Sequence, residues 1–359
     1  MSVRSLQAEI ERDSLEVARA SYREISLYSP NRAPCRLDVS DNTNLWGPPP
    51  AARLLLSDAA DPVITRYPRA YADDLKAAIA DYLNVSAASV VTGCGSDDVL
   101  DSAIRAFTEP GQTLAHPNPS FAIVEIFARM NGLTPLAIPL ETGYDVDADA
   151  FIASGAPVIY LCSPNNPTGS TLARRTVERI VNNSPGVVII DEAYAEFADG
   201  DYLDLLAGSD RLIITRTLSK AFGLAGLRIG YAVSSPALAR EIEKSRGPYK
   251  VSSLAERAAI AALTEDRGWV VDRIADARES RAKLTQELRS RGLAPIESQA
   301  NFVLVPLPRA DGIAARLREI GVAIRPFPAL NGIGDAIRIT VGPWPMMEEC
   351  LAALDGVLS

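Results

Sequence analysis

The stretch Leu212–Tyr231, LIITRTLSKAFGLAGLRIGY, contains two apolar runs on either side of a turn with a lysine. The runs Leu212–Thr215 and Ile229–Val233 show little alternation of apolar and polar residues. That pattern is typical of strands buried on both faces of a sheet. Lys220 follows the first run, so we predict that it lies near the carboxyl end of a strand, where α/β sheets bind ligands.

The same kind of apolar run recurs in the preceding part of the chain. Helix-like stretches separate these runs, and the alternation predicts an α/β fold whose large domain has a mainly parallel sheet flanked by helices. The further predicted strands are Ser89–Thr92, Thr113–His116, Val158–Cys162 and Val187–Ile190.

The pattern changes after Lys250. Ser252–Arg291 contains no proline and repeats apolar residues at helical spacing, which predicts one or two long amphipathic helices. The pieces that follow predict a smaller α+β domain, with strands at Asn301–Val305, Val322–Arg325 and Ala336–Val341 and helices around Asp311–Ile320 and Met346–Leu358. We therefore divide the chain into an N-terminal helix and arm (1–45), a large domain (46–250) and a small C-terminal domain (251–359).

Composition and charge argue against several classes of function. The 359 residues carry a formal net charge of −9, which argues against a nucleic-acid partner. No apolar run suits a membrane span, and the charged N-terminal segment is interpreted as a solvated helix and not a signal peptide. The four cysteines lack C-x-x-C spacing, so we expect a cytoplasmic protein without a metal site. Because His116 is the single histidine, catalysis is expected to use a lysine, a carboxylate, a tyrosine or a cofactor.

Lys220 has two interpretations from its own segment. Its apolar neighbours Ala221 and Phe222 would desolvate the amine, lower its pKa and favour the free base that bonds an aldehyde. A lone lysine in a turn is more often a solvated surface residue. The segment alone leaves both interpretations open.

Two other turns follow predicted strands. SPNNPTG, Ser163–Gly169, presents Asn166, whose amide can bind a ring oxygen, although the same motif is also an ordinary tight turn. DEAY, Asp191–Tyr194, puts the Asp191 carboxylate at the end of an apolar strand, where it needs a cationic partner. A pyridinium nitrogen would serve, and a helix N-cap is the alternative role for Asp191.

A third segment suits a phosphate. The predicted strand Ser89–Thr92 runs into GCGSDD, Gly93–Asp98, and then into a helix over Val99–Phe107. A glycine turn and a helix N-terminus present backbone N–H groups and a positive dipole end to an anion, although a plain capped helix has the same sequence pattern. Asp97 and Asp98 would repel a phosphate, so we expect both side chains to turn aside and cap the helix.

Taken together, these segments describe a site for pyridoxal 5′-phosphate. Arg228, Ser219 and Thr217 add the charge and hydroxyls that its phosphate would bind. The motifs resemble those of the fold-type I pyridoxal-phosphate aminotransferases, which have the aspartate aminotransferase fold. Within that group they resemble the histidinol-phosphate aminotransferase branch, and the resemblance covers nearly the whole chain.

The resemblance implies a role for each motif residue at the cofactor. Lys220 would bond the cofactor aldehyde and shuttle a proton, and Asp191 would keep the ring nitrogen protonated. Asn166 and Tyr194 would bind the phenolic oxygen, and Phe121 would stack on the ring. The implied phosphate ligands are Gly95, Ser96 and Asp97 through their backbone, together with Thr217, Ser219 and Arg228.

The resemblance also implies substrate contacts and a protein partner. Arg338, in the segment AIRITVG, would grip an anionic group, and a guanidinium suits carboxylate and phosphate equally. Tyr28 in LYSP and Asn44 in NTNLWG would border the substrate pocket. Tyr67 would reach the cofactor phosphate of a neighbouring subunit, which implies a homodimer with shared active sites.

The implied activity is the exchange of an amino group between an amino acid or histidinol phosphate and a 2-oxo acid, with glutamate and 2-oxoglutarate as the expected pair. A phosphothreonine-type decarboxylase uses the same cofactor residues and remains an alternative. A non-catalytic cofactor-binding regulator is disfavoured, because such proteins carry a DNA-binding module and only a short segment precedes the arm.

Three positions depart from the family pattern. Thr43 replaces an acidic residue, Leu45 replaces a proline, and Phe121 stands where tyrosine is usual. The first two lie on the substrate side, so they weaken the implied substrate more than the implied cofactor.

Overall fold

The computed structural model describes residues 17–23, 25, 34–57 and 61–359, apart from the side chains of residues 20 and 61. The helix predicted over the N-terminal segment therefore falls mostly outside the described residues, which include a short helix at Ala20–Arg23. The predicted arm contains strand β1, Leu37–Asp38. A helix begins at Pro50, where the arm ends.

The central sheet contains seven strands, β2 to β8, at Val90–Cys94, Thr113–Asn118, Thr134–Pro139, Val158–Cys162, Val187–Asp191, Leu212–Thr217 and Ile229–Ser234. Their order across the sheet is β2-β8-β7-β6-β5-β3-β4. Strand β8 runs antiparallel to both of its neighbours, and the other pairs are parallel. The prediction of a mainly parallel sheet is confirmed.

Successive residues of the inner strands enter different cores on the two faces of this sheet. Val158 and Tyr160 lie in one core, and Ile159 and Leu161 lie in the other. Helices complete both cores, which explains why these strands are apolar without alternation. The helices of this part are Pro50–Ser57, Asp61–Thr65, Asp73–Leu83, Gly95–Ala106, Ile123–Met130, Ala148–Ala153, Arg174–Asn183, Pro236–Ser245 and Ser253–Thr264, with 3₁₀ turns at Ala87–Ser89, Ala195–Phe197, Leu203–Gly208 and Ala225–Leu227.

Strand β4 was not predicted, because it is not a continuous apolar run. Its sequence, TPLAIP, includes two prolines, and most of its residues are exposed or half-buried. The strand lies at the edge of the sheet next to β3. An edge strand needs backbone donors on one side alone, so it tolerates proline and does not need a continuous apolar sequence.

The C-terminal part has the predicted α+β composition. Strands β9 (Phe302–Pro306), β11 (Arg325–Leu330) and β12 (Gly334–Thr340) form an antiparallel sheet in the order β11-β12-β9. Strand β10, Val322–Ala323, pairs in parallel with β1 of the arm. The helices Ala310–Glu319 and Trp344–Leu358 belong to the same part.

One long helix, Arg267–Ser290, joins the two parts. Val270 and Ala277 lie in the core that contains the helix Ser253–Thr264, whereas Leu284 and Leu288 lie in the core of the C-terminal sheet. The helix Ser253–Thr264 itself packs on the helices Pro50–Ser57 and Asp73–Leu83. The first core therefore continues beyond residue 250. The division of the chain at that residue stays a prediction.

No helix in the described part of the chain is both long enough and apolar enough to cross a membrane. The cytoplasmic location inferred from the cysteines stays a prediction.

Candidate active site

A cavity of about 680 Å³ lies where the carboxyl ends of β5, β6 and β7 face the arm and the β11–β12 strand pair. Its walls therefore come from the central sheet, the arm and the C-terminal sheet together. Most of the predicted site residues line it, namely Ser96, Asp97, Phe121, Asn166, Asp191, Tyr194, Thr217, Ser219, Lys220, Arg228 and Arg338.

Lys220 lies on the wall of this cavity and not on the outer surface. Its Nζ donates a hydrogen bond to the backbone carbonyl of Asp41, 3.3 Å away, and lies 5.6 Å from the centre of the Tyr194 ring. Burial, together with the nearby positive charge of Arg338, lowers the pKa of Lys220 to about 8. The amine is therefore partly unprotonated near neutral pH, and the free base is the form that attacks an aldehyde.

Asp191 ends β6 and is 3% exposed. Its carboxylate accepts hydrogen bonds from the hydroxyl of Tyr160 at 2.9 Å, the N–H of Ala193 at 3.2 Å and the hydroxyl of Thr215 at 3.3 Å. Burial raises the pKa of Asp191 to about 6. Among the described residues no cationic side chain forms an ion pair with it. A cation supplied by a ligand would stabilise the charged carboxylate.

A cup of hydrogen-bond donors lies beside β2, where the 12-residue helix Gly95–Ala106 begins. Thr217 Oγ1 lies 2.9 Å from Ser219 Oγ, so these two hydroxyls lie together. Hydroxyls, a guanidinium and a helix N-terminus on one wall are the donors that a phosphate requires. The side chains that line this part of the cavity are Ser96, Asp97, Thr217, Ser219 and Arg228.

Two glycines allow the groups around the cup to pack in close contact. A Cβ on Gly95, whose φ is +84°, would lie 2.4 Å from Arg228 Nη2. A Cβ on Gly230 of β8 would lie 2.0 Å from the backbone nitrogen of Ser96. A side chain at either position would displace Arg228 or the first turn of the helix.

The two aspartates after the glycine turn behave differently from each other. Asp98 turns aside as expected, because it accepts the N–H of Cys94 at 3.0 Å and pairs with Lys250 at 2.8 Å. Asp97 does not turn aside. It lines the cavity and pairs with Arg228 at 3.0 Å, so the guanidinium draws its carboxylate toward the cup. The expectation that both side chains cap the helix away from the cup is wrong for Asp97.

Asn42 of the arm connects Tyr194 to the C-terminal sheet. Its Nδ2 donates to the Tyr194 hydroxyl at 3.0 Å, and its N–H donates to Thr340 Oγ1 at 2.9 Å. Burial raises the pKa of Tyr194 to about 12. The phenol therefore keeps its proton, and because it accepts from Asn42, that proton remains for an acceptor in the cavity.

Arg338 is a buried guanidinium on β12. It donates to Asn166 Oδ1 and, at 2.9 Å, to the backbone carbonyl of Ser40. Its Cζ lies 5.1 Å from the centre of the Phe302 ring and 5.4 Å from that of Phe327. These contacts fix the plane of the guanidinium and join Asn166 to the arm.

Phe121 lies in the loop that follows β3 and lines the same cavity. The loop is held by Asn165, which accepts from the Ser120 hydroxyl at 2.7 Å and donates to the Pro119 carbonyl at 3.1 Å. The two turns that present Phe121 and Asn166 are therefore bonded to each other.

Three of the described site residues, Asn44, Tyr67 and Gly95, do not line the cavity. Asn44 does not line the cavity, because its Nδ2 donates to the backbone carbonyl of Ala221 at 3.0 Å, outside the wall. Tyr67 is 86% exposed on the surface. Tyr28 falls outside the described residues. Gly95 forms the start of the cup helix without lining the cavity.

Several residues that line the cavity or contact its wall were absent from the predictions. Tyr160 was signalled by its place as the one hydroxyl in VIYLC, two positions before Cys162 and thus on the same face of the strand. Arg325 and Phe327 of β11 line the cavity as well. A sequence signal for them would have needed the register of β11 against β12, which two prolines in β11 obscure. Asp41 and Asn42 line the cavity from the arm, whose sequence has no periodic pattern that could have indicated them.

The residues present fit the cofactor implied by the motifs. Asp191 is a buried carboxylate that lacks a protein cation among the described residues, and Lys220 is a desolvated amine. The cup supplies phosphate donors that a Cβ at Gly95 would obstruct. One cavity thus presents a partner for a cation, a partner for an aldehyde and a partner for a phosphate, as pyridoxal 5′-phosphate requires.

The sequence matches the family model of the class I and II aminotransferases over residues 35–354. The chain belongs to this aminotransferase family. Pyridoxal 5′-phosphate is its cofactor, and the predictions of family and cofactor are confirmed. As a member of the family, the chain is a transaminase that acts on amino and 2-oxo compounds.

Individual members of the aminotransferase family are similar over most of their length. A histidinol-phosphate aminotransferase of Thermoanaerobacter sp. is 36% identical over 280 residues, 77% of this chain and 79% of that protein. An aromatic amino acid aminotransferase of Rhodococcus jostii is 34% identical over 333 residues, 90% of this chain and 91% of that protein. The crystal structure of histidinol-phosphate aminotransferase from Sinorhizobium meliloti in complex with pyridoxal 5′-phosphate superposes with a TM-score of 0.87 at 27% identity, covering 95% of this chain and 97% of that one.

Proposed function

We propose that this aminotransferase takes its amino group from L-histidinol phosphate and passes it to 2-oxoglutarate. The observation that carries the proposal is a pair of arginines on the wall of the cavity, Arg325 and Arg338. Relatives named as histidinol-phosphate aminotransferases support the same donor.

The arginine pair suits a strongly anionic group. Arg325 lies directly opposite Arg338 in the β11–β12 pairing, so the two side chains extend from the same face of the sheet. Like charges at directly opposed positions repel each other, and a bound anion would offset that repulsion. A phosphate dianion would compensate two guanidiniums, and a dicarboxylate such as 2-oxoglutarate can use the same pair in the second half of the reaction.

We propose the following roles for the cofactor contacts. Lys220 holds the cofactor through its Nζ, Asp191 holds the ring nitrogen in its protonated form, and Tyr194 donates to the phenolic oxygen. When bound, pyridoxal 5′-phosphate supplies the aldehyde that bonds amines and a protonated ring that withdraws electrons from the adjacent carbon. The ligands of its phosphate are Ser96, Thr217, Ser219 and Arg228, together with the backbone of Gly95 and Asp97.

Lys220 also carries the proton in transamination under this proposal. Its Nζ would accept the proton from the donor carbon that bears the amino group. It would then deliver that proton to the aldehyde carbon of the cofactor. A pKa of about 8 supports both steps, because the amine is then neither firmly charged nor unable to hold a proton. The carbonyl of Asp41, 3.3 Å away, orients the amine between the two steps.

We also propose a homodimer whose active sites are completed across the interface. Tyr67 is 86% exposed and does not reach its own cavity, and its ring lies 5.1 Å from that of Tyr249. Tyr71 is a third partly exposed tyrosine nearby in sequence. Exposed aromatic side chains of this kind mark interfaces. These three residues are called the tyrosine patch below.

The donor is tested by steady-state kinetics with 2-oxoglutarate as acceptor. L-histidinol phosphate, L-phenylalanine and O-phospho-L-threonine are compared by kcat/KM, and the products are identified by mass spectrometry. We expect the highest kcat/KM and a keto product with histidinol phosphate. A preference for phenylalanine would overturn the proposed donor. Release of carbon dioxide from phosphothreonine would establish the decarboxylase alternative.

A further inference from the structure

A buried ionic cluster lies on the opposite face of the central sheet from the cavity. Arg216 and Glu192 have side chains that are 5% and 0% exposed. Arg216 donates to Glu192 Oε2 from Nε at 2.8 Å and from Nη2 at 2.7 Å, and it also donates to Asp201 at 2.7 Å. No role proposed above uses these groups.

The second oxygen of Glu192 extends the cluster. It accepts the backbone N–H of Tyr202 at 2.7 Å. The Tyr202 hydroxyl donates to the Leu172 carbonyl at 2.6 Å and lies 3.3 Å from Ser163 Oγ, which accepts the N–H of Leu172 at 3.1 Å. Ser163 is in turn bonded through its N–H to the carbonyl of Asp191 at 3.0 Å. A continuous buried network therefore runs from Arg216 to Ser163.

Each end of this network is next in sequence to a residue of the cavity wall. Glu192 follows Asp191, Arg216 precedes Thr217, and Ser163 follows Cys162. Asp191, Thr217 and Cys162 line the cavity. Arg216 and Thr217 are neighbours within β7 and therefore point to opposite faces, while Glu192 and Ser163 directly follow the last residues of β6 and β5. The network thus holds the ends of β5, β6 and β7 from behind, and it is called the reverse-face clamp here.

We propose that Arg216, Glu192 and Tyr202 are positioning residues of the active site. The reverse-face clamp holds Asp191, Thr217 and the turn of Asn166 at fixed separations, so that the cofactor ring and phosphate meet their partners together. This inference rests on the proposed cofactor roles of those residues. Stability alone does not call for such a cluster, because buried ion pairs seldom stabilise more than apolar residues of similar volume.

The test measures binding of 4′-deoxypyridoxine 5′-phosphate to the ligand-free enzyme. This analogue lacks the aldehyde, so its dissociation constant reports the non-covalent contacts without Lys220. We expect Glu192→Gln and Tyr202→Phe to raise that constant about tenfold or more, as loss of a positioning contact does. The visible circular dichroism of the bound natural cofactor should weaken as well, because it reports a fixed ring geometry.

A double-mutant cycle separates positioning from general stabilisation. Since Glu192 is adjacent to Asp191, Glu192→Gln should raise the constant by a clearly smaller factor once Asp191→Ala has been made. An equal loss in both backgrounds would overturn the proposal, as would unchanged affinity in folded variants. The double variant Glu192→Gln/Arg216→Met removes both charges of this ion pair, should a single variant fail to fold.

The control is Arg291→Met. It removes a guanidinium that pairs with Asp355 and Glu287 on the C-terminal part, far from the cavity residues in sequence and contact. Its analogue affinity should equal that of the wild type. Failure of the wild type itself to bind the analogue would overturn the cofactor roles, whereas normal wild-type binding with unaffected clamp variants would overturn the reverse-face clamp alone.

Discussion

Burial changes Lys220 and Asp191 in opposite directions. It lowers the pKa of Lys220 to about 8 and raises that of Asp191 to about 6. Desolvation penalises the charged form of each group, so the amine is brought toward neutrality and the carboxylate gains from a cationic ligand. Both residues were found from sequence by their place after buried strands. Their environments could not be, because Asp41 and Tyr160 reach them from distant segments.

The first prediction concerns pH. Attachment of pyridoxal 5′-phosphate to ligand-free enzyme requires unprotonated Lys220, so its rate should rise with pH through a midpoint of about 8, well below the usual lysine value of 10.5. The rate is measured by rapid mixing, followed by reductive trapping and intact mass. Lys220→Ala should give no trapped adduct while the chain remains folded. A midpoint near 10.5 would contradict the assigned environment.

The second prediction concerns Asn42, which donates to the Tyr194 hydroxyl at 3.0 Å. Asn42→Ala should weaken cofactor binding by about 1 kcal/mol, the usual net value of one hydrogen bond. Equilibrium dialysis against free cofactor gives the affinity. Asn183→Ala, which removes a surface side-chain hydrogen bond, is the control. In a Tyr194→Phe background Asn42→Ala should add little, and a full additional loss would show that Asn42 acts elsewhere.

At the scale of elements, β11 and β12 decide what the cavity accepts. Their register opposes Arg325 and Arg338. The family resemblance around Arg338 implied one anion-binding arginine, whereas the proposed role of Arg325 depends on strand pairing. Strands β5 to β8 were predicted well because both faces are buried, whereas β4 at the edge lacked that signal. The arm was predicted as irregular, and its contacts at Asp41 and Asn42 follow from tertiary packing that no local pattern encodes.

The third prediction follows from the arginine pair. Arg325→Gln should lower kcat/KM for L-histidinol phosphate, because the transition state would lose about 2 kcal/mol of charge-assisted hydrogen bonding. The loss should be smaller for L-phenylalanine, which has a single carboxylate. The thermal midpoint of the ligand-free variant should not fall, since the substitution relieves like-charge repulsion. Arg316→Gln, on the exposed side of a helix outside the cavity, is the control. Equal losses for both donors would contradict a phosphate role for Arg325.

At the scale of the whole molecule, the cavity lies between two cores that one long helix, Arg267–Ser290, connects. The proposed cofactor residues come mainly from the central sheet and the turns that follow its strands, whereas the proposed substrate arginines come from the C-terminal sheet. The sequence predicted this division of labour from the order of its motifs. It could not show that Asn44 lies behind the wall, because the side of a loop that faces a cavity depends on how the loop packs.

The fourth prediction concerns the tyrosine patch and the dimer. Sedimentation should give a dimer, and Lys220→Ala and Tyr67→Ala homodimers should each have reduced activity. Mixed and reassociated subunits should regain activity, because one of the two sites then contains Lys220 from one chain and Tyr67 from the other. Unmixed variants taken through the same treatment are the control. A mixture no more active than its components would contradict shared sites.

The central claim is that this chain moves an amino group from histidinol phosphate to 2-oxoglutarate through Lys220. Its most direct test is to supply L-histidinol phosphate labelled with heavy nitrogen at the amino group and to follow the label by mass spectrometry. We expect labelled glutamate and an unlabelled keto phosphate in equal amounts with wild-type enzyme, and neither with Lys220→Ala. Unlabelled glutamate, or labelled glutamate formed equally by the Lys220→Ala variant, would contradict it.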